Sequence, residues 1–302
     1  MELLTPEHFK DYELIDCGKF EKLERFGQYI TIRPEPQAVW DKVLSEKEWE
    51  QKAHVRFVAK SSSSGIWQKL KPMPDRWNIH YELKDKSKGA GIDFRLGLTS
   101  FKHVGVFPEQ AVNWDYIYSA IKSIASDPSR SGEKQVKFLN LFAYTGGASL
   151  AAKAAGADAV HVDSIRQVVT WAKENMELSS LSDIRWVVED ALKFVKREVK
   201  RGNKYHGIIL DPPAFGHGPT GEKWKLEDNI NEMIKEVLNL LNEQHHFLIL
   251  NTYSLGFSSI IMENLLSDAV KTPKDLETGE LYLKASTGKK LPLGVYGRFR
   301  NF

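Results

Sequence analysis

The stretch Val136-Lys137-Phe138-Leu139-Asn140-Leu141-Phe142-Ala143-Tyr144-Thr145-Gly146-Gly147 decides the fold. Its first half is an apolar-rich run of the kind a strand buried on both faces shows. The paired glycines that close it allow a tight turn and a close approach by a neighbour or a ligand. An alanine-rich segment, Gly146 to Ala155, follows and stops at Gly156, as a short helix would. Strand, glycine turn and helix together predict one unit of a parallel sheet.

The same texture continues towards the C-terminus. Ala159-Val160-His161-Val162-Asp163 predicts a second strand, and Arg166 to Leu178 a second helix. Ile184 to Val188 reads as a third strand, followed by a helix from Ala191 to Arg201 with Leu192, Val195 and Val199 on one face. His206 to Asp211 is a fourth strand. Within 227–241, Ile230, Met233, Ile234, Val237, Leu238 and Leu241 fall at amphipathic-helix spacing. His246 to Asn251 is a fifth strand, with a helix over about 257–269. Leu281 to Lys284 and Val295 to Phe299 have no helix between them, which predicts an antiparallel hairpin at one sheet edge. The alternation implies right-handed crossovers and a Rossmann-like, doubly wound, mostly parallel α/β sheet.

Before about residue 110 the texture differs. Tyr29 to Arg33, closed by Pro34 and Pro36, and His54 to Val58 read as strands. Ser61 to Gly65 and Lys71 to Asp75 read as breaks, and Asn78–Leu83 with Gly91–Leu96 flank a charged turn, Lys84 to Gly89, as a hairpin. The 302 residues therefore divide into a small β-rich domain, 1–110, and an α/β domain, 111–302.

Composition narrows the classes. With 42% apolar and 27% charged residues the chain can bury a core, which excludes a mainly disordered protein. No apolar run approaches the ~18–20 residues of a membrane-spanning helix. Met1 to Glu7 shows no basic segment leading into an apolar stretch, and Cys17 is the single cysteine, so neither an internal disulfide nor a zinc site with two thiolates can form. A cytoplasmic protein is expected. The net charge of +2 permits a nucleic-acid partner without requiring one. Among nine histidines there is no His-Glu-x-x-His and no tight cluster with acids, so no metal is expected. His245-His246 reads as structural, and Lys193, Lys196, Arg197, Lys200 and Arg201 as a solvated helix face.

In a sheet of this kind the ligand sits beyond the carboxyl ends of the strands. Gly146-Gly147 matches neither Gly-x-Gly-x-x-Gly nor the phosphate loop, so it marks a close-approach turn or simply tight helix packing. Asp163 suits the two hydroxyls of a nucleoside ribose, or caps the next helix. Asp190, after the third strand, suits a cap, an adenine amino group, or both. Asp211-Pro212-Pro213-Ala214-Phe215 carries the strongest signal. Its prolines stiffen the turn and direct carbonyls outward, while Phe215 offers a face to a planar ring. A rigid loop with a buried Phe is the alternative. Gly216 to Gly221 reads as a mobile loop over substrate, or as an ordinary surface loop.

These segments resemble those of class I S-adenosylmethionine-dependent methyltransferases, specifically the bacterial large-subunit rRNA methyltransferases of the RlmI and RlmK/L type. The resemblance covers about 101–302 and rests on Asn140 to Gly147, His161 to Ser164, Val188 to Ala191, Asp211 to Phe215 and Phe101 to Gln110. The front part, with Lys22 to Gly27 and Arg33 to Gln37, looks like the small β domain of such relatives. The resemblance implies a class I methyltransferase sheet with S-adenosyl-L-methionine as cofactor. It places Asn140, Phe142, Tyr144, Thr145 and Gly146 at the methionine end, Asp163 and Ser164 at the ribose, and Asp190 and Ala191 at the adenine. Lys102, Phe107 and Gln110 would add cofactor contacts. Asp211, Pro212 and Phe215 would line the acceptor site, Asp211 also touching the cofactor.

One departure bears on the chemistry. Relatives that make 5-methylcytosine use a cysteine after the fifth strand, where this chain reads Asn251-Thr252-Tyr253-Ser254. Carbon-5 of a pyrimidine needs activation by a thiolate, whereas ring nitrogens and exocyclic amines attack directly. Methylation of a base nitrogen in RNA, most readily rRNA, is therefore the expected activity. Lys19, Lys22, Arg25 and Arg33 would supply phosphate contacts. A DNA or protein acceptor, a non-catalytic RNA-binding or assembly factor that kept the pocket, a nucleotide-binding oxidoreductase and a homodimer stay open.

Overall fold

The computed structural model describes residues 1–61, 64–84, 89–130, 135–254, 256–269 and 275–302. Residues 62–63 of the expected Ser61–Gly65 break and 85–88 of the Lys84–Gly89 turn lie outside the described residues.

Along the chain, β1 (Glu2–Leu4), β2 (Tyr12–Gly18), β3 (Glu21–Phe26) and β4 (Tyr29–Pro34) lead to the short helix α1 (Glu46–Lys52). Ser45 and Glu48 form a reciprocal capping box that starts α1. Then come β5 (Val55–Ala59) and β6 (Gly65–Lys69), followed by the hairpin of β7 (Arg76–Glu82) and β8 (Gly91–Gly97). Strands β2 to β6 form one sheet in sequential order. The strict in–out alternation of β7 lays one face on the core.

The α/β part begins with α2 (Ala111–Ala125) and continues β9 (Lys137–Leu141), α3 (Gly147–Ala154), β10 (Asp158–Asp163), α4 (Arg166–Leu178), β11 (Arg185–Val188), α5 (Ala191–Lys200) and β12 (Gly207–Leu210). A small ribbon, β13 (Phe215–His217) and β14 (Lys223–Lys225), precedes α6 (Leu226–Leu238), β15 (His246–Thr252), α7 (Ser259–Ala269), β16 (Glu277–Lys284) and β17 (Lys290–Asn301). Among the described residues the main sheet has the order β1-β16-β17-β15-β12-β9-β10-β11. Strands β9 to β12 and β15 run parallel, and β17 lies antiparallel between β15 and β16. The expected antiparallel hairpin is present, but it is not the edge. Strand β1, at the far end of the chain, pairs parallel with β16 outside it, and Gly279 makes room by lying against the Glu2 backbone.

The central strands β9 and β12 are buried on both faces, as parallel strands covered by helices must be. One apolar cluster, with Trp114, Ile117, Phe138 and Leu150, also takes in Tyr12, Trp77, Tyr81 and Phe94 from the β-rich part. The other face packs Leu139, Leu141 and Leu248 against Phe194, Met233 and Met262 of α5, α6 and α7. Hydrogen bonds fasten β8 to α4: the Asp93 and Arg95 N–H groups donate to Ser179 Oγ and Asn175 Oδ1, each at 2.8 Å, and Trp171 Nε1 donates to the Arg95 carbonyl at 2.7 Å.

Candidate active site

The carboxyl ends of β9 to β12 and β15 open on a cleft of about 1120 Å³, walled on the far side by residues of β3, β4 and the 102–110 segment. The loop after β9 shapes it. Phe142, Tyr144 and Gly146 all take left-handed backbone conformations, with φ of 57°, 49° and 96°. A non-glycine residue held so costs about 1–3 kcal/mol and persists only where its surroundings over-determine it. Here the Tyr144 N–H donates to Asp163 Oδ2 at 2.9 Å and the Ala143 N–H to the Val162 carbonyl at 3.1 Å. The result turns two aromatic rings to the cleft. Phe142 packs on Trp224 with centroids 4.8 Å apart, and Tyr144 on Phe107 at 5.0 Å.

Asn140, Thr145 and Gly146 do not line this cleft; they surround a small adjoining cavity of about 50 Å³. The Asn140 side chain turns into the core and donates to Ser149 Oγ at 2.9 Å, which lies 3.1 Å from His161 Nδ1. Thr145 Oγ1 donates to the Gly105 carbonyl at 2.6 Å and ties the loop to the preceding segment. The glycine pair serves close packing. A Cβ on Gly147 would sit 2.7 Å from the Trp114 ring, and one on Gly146 would sit 3.2 Å from Ala172 Cβ.

Asp163 closes β10 with both carboxylate oxygens engaged, the second accepting the Ile165 N–H at 2.9 Å. Burial pushes its carboxyl up, against the pull of those backbone donors. Ser164 and the exposed Ile165 continue the wall, and α4 starts only at Arg166. Asp190 caps α5, its Oδ1 accepting the Lys193 N–H at 2.9 Å, while also lining the cleft beside Ala191. The cap and the cleft-facing position thus coexist.

Asp211 stands at the end of β12 without a hydrogen-bond or ion-pair partner among the described residues, and burial pushes its carboxyl up to about 7. Pro212 and Pro213 follow on the cleft wall. Of the proline carbonyls expected to point outward as acceptors, that of Pro213 is already engaged within the chain, accepting Trp224 Nε1 at 2.7 Å. Phe215 is 68% exposed at the rim, so the buried-Phe alternative fails. The Gly216–Gly221 stretch is part strand and part turn, with 218–221 joining two short strands. Gly216 and His217 pair with Trp224 and Lys223, because β13 and β14 form an antiparallel ribbon.

The far wall corrects another expectation. Lys22 and Arg33 are only 8% and 3% exposed, and so do not face solvent phosphates. Their strands place them inward, where Arg33 grips Glu24 through Nε and Nη2 at 2.7 and 2.9 Å. Lys22 Nζ lies 3.2 Å from Glu35 and 3.6 Å from Glu24, and the Tyr253 hydroxyl donates to Glu35. Arg25 is taken by Glu13, and Lys19 stays exposed. Lys102 lies on this wall with its ammonium disfavoured by burial. Gln110 is fixed by Asn251 and Asn113, whose side-chain amides donate to its Oε1 at 3.0 and 2.9 Å.

Of the basic stretch of α5, Lys193, Lys196, Arg197 and Arg201 pair with Glu222, Glu232, Glu189 and Glu198, and Lys200 is exposed. Residues that the sequence did not single out also line the cleft, among them Glu109, His103, Trp224 and Tyr253. For Tyr253 the signal was its place after the fifth strand. For His103 and Glu109 it was the resemblance carried by Phe101 to Gln110, and for Trp224 there was none. Among the described residues no three His, Cys, Asp or Glu side chains converge as a metal site, and no helix is long and apolar enough to cross a membrane.

A mostly parallel sheet with this strand order, an acid after each of three strands and a cleft across their ends define a class I methyltransferase architecture. Comparison with known proteins agrees. A crystal structure of the SAM-dependent methyltransferase from Agrobacterium tumefaciens is 34% identical, covers 100% of this chain and 94% of that one, and superposes with a TM-score of 0.88. The chain belongs to the S-adenosylmethionine-dependent methyltransferase family. Residues 121–249 match the family described as conserved hypothetical protein 95. The ribosomal RNA large subunit methyltransferase K/L of Shewanella frigidimarina is 31% identical over 276 residues, 81% of this chain. The match spans only 34% of the length of that relative. A Streptococcus mutans protein described as a SAM-dependent methyltransferase, 14% identical over 97% of this chain and 76% of that one, shares the fold with a TM-score of 0.71.

Proposed function

We propose that the protein methylates a nitrogen of an RNA base, with ribosomal RNA as its substrate and S-adenosylmethionine as the methyl donor. The observation that carries this reading is Asp211: a carboxyl at the sheet's carboxyl edge, without a partner among the described residues, next to a rigid proline turn and the exposed Phe215 ring. The cleft suits the cofactor. Asp163 keeps lone pairs for two ribose hydroxyls after accepting two backbone donors, Ile165 offers an apolar face, and Asp190 and Ala191 border the adenine position. When bound, the cofactor supplies a methyl group activated by a sulfonium.

The chain's residues do the rest. Phe215 stacks the base, which binds it without choosing its identity. Asp211 accepts an N–H of that base and offsets the positive charge that develops on the attacking nitrogen. A carboxyl with an affinity for protons near neutrality is suited to both. No thiol is at hand for attack on a ring carbon. Cys17, the single cysteine of the chain, is fully buried in β2 and is not among the residues that line the cleft, and its thiol is pushed up to about 11 by burial. The name of the Shewanella relative supports rRNA as the acceptor. The test is methyl transfer from labelled cofactor to purified RNA, read by nucleoside mass spectrometry. Label found only on protein, or on a pyrimidine carbon, refutes the proposal.

A further inference from the structure

The hairpin that joins β2 to β3 turns in two residues, Lys19 and Phe20, between the paired Gly18 and Glu21. Both are left-handed, with φ of 50° and 63°. A two-residue turn in this conformation is the place for Asn-Gly or Asp-Gly, because a larger side chain strains it. Nor does the Phe20 ring serve the core, since the residue is 59% exposed. Backbone groups pin the turn. The Lys19 and Phe20 N–H groups donate to the Trp40 and Ala38 carbonyls at 2.6 and 2.8 Å, and the Phe20 carbonyl accepts the Glu35 N–H at 2.7 Å. Glycine would make the same bonds. A ring that strains its backbone and buries little is kept for a contact outside the chain.

Its place says which contact. Glu21 pairs with Pro34 and Lys22 with Arg33, and Lys22, Arg33, Pro34 and Glu35 line the cleft, so the turn sits at the end of that wall. The exposed Phe215 ring stands on the same cleft. Lys19, beside Phe20, is exposed, whereas Lys22 and Arg33 are held by acids. An exposed aromatic face with a solvated cation next to it suits a base and its phosphate on a single strand. We infer that Phe20 is a second stacking platform, which takes an unpaired base flanking the one held in the cleft, with Lys19 at its phosphate. This rests on the RNA reading above and deepens it.

The test is binding of fluorescein-labelled oligonucleotides to the full chain, without cofactor or methyl transfer. One is oligoadenylate of about 12 nucleotides; the other has the same sugar–phosphate chain without bases. The wild type should prefer the first. Phe20→Gly, which removes the ring and relaxes the turn, should weaken oligoadenylate about fivefold or more and the abasic chain less than about twofold. Phe20→Tyr, which keeps a ring, should stay within about twofold of the wild type on both. The Tm of Phe20→Gly should be no lower than that of the wild type, because relief of strain offsets the freedom glycine gives the unfolded chain. A wild type without preference for bases, or equal loss on both oligomers in Phe20→Gly, overturns the inference. So does a Phe20→Gly variant that binds oligoadenylate like the wild type, as it would if the ring served a protein partner, or one with a lowered Tm. If oligoadenylate binds as expected but RNA gains no methyl on nitrogen, the functional reading falls and this inference stands.

Discussion

Replacing Asp211 by Asn exchanges a half-buried carboxyl, without a partner among the described residues, for a neutral group of nearly the same shape. Burial raises the carboxyl from 3.8 to about 7, so the folded chain holds the proton more tightly than the unfolded chain does. The sign follows from proton linkage. The stability associated with this group is fully present below about pH 4 and is lost as pH rises to about 7. That difference corresponds to about 4 kcal/mol at about 1.36 kcal/mol per pH unit. Water entering the cleft softens the penalty, and about 1–3 kcal/mol is expected at pH 8. Asp211→Asn should therefore be more stable than the wild type at pH 8, by about 2–4 °C in Tm for each kcal/mol. The gain should shrink at pH 5. Methyl transfer should fall more than about tenfold at both pH values, a group kept for function at the expense of stability. Thermal unfolding across pH, beside single-turnover transfer, measures both. If wild type and variant show the same pH dependence of Tm, Asp211 is not the strained acid described above.

Asp163→Ala should weaken S-adenosylhomocysteine by about 2–4 kcal/mol in calorimetry and also lower Tm, because the Tyr144 and Ile165 N–H groups lose their acceptor; unchanged affinity sinks the ribose assignment. Phe215→Ala should cut transfer to RNA more than about tenfold while cofactor affinity stays within about twofold, since its exposed ring supports little of the fold. Cys17→Ser should retain methyl transfer despite some loss of stability in the β2 core, and a folded but inactive variant would reopen a thiolate mechanism.

Much of the α/β part is legible in the chain. The helix Arg166–Leu178 falls on the residues that its periodicity marks, and strands β9, β10, β11, β12 and β15 lie within a residue or two of their apolar runs. Helix α2 carries the spacing Trp114, Ile117, Tyr118, Ile121, Ile124 but has no side-chain cap, and its run of aromatic and β-branched residues hides the pattern. Strands β13 and β14 have three residues each, too few for a period to show.

By itself the sequence determined the repeating strand–helix order, the acids at the strand ends and the absence of a second cysteine, because these depend on neighbours within a few positions. The tertiary structure decided what distance in sequence conceals. It brought β1 to the edge beyond β16 and turned Lys22 and Arg33 inward onto acids. It also directed Asn140 into the core rather than the cleft, and brought Glu109 and Asp211 to one cleft. A residue's type states which partners it can satisfy, but only the packed fold states which partners are there.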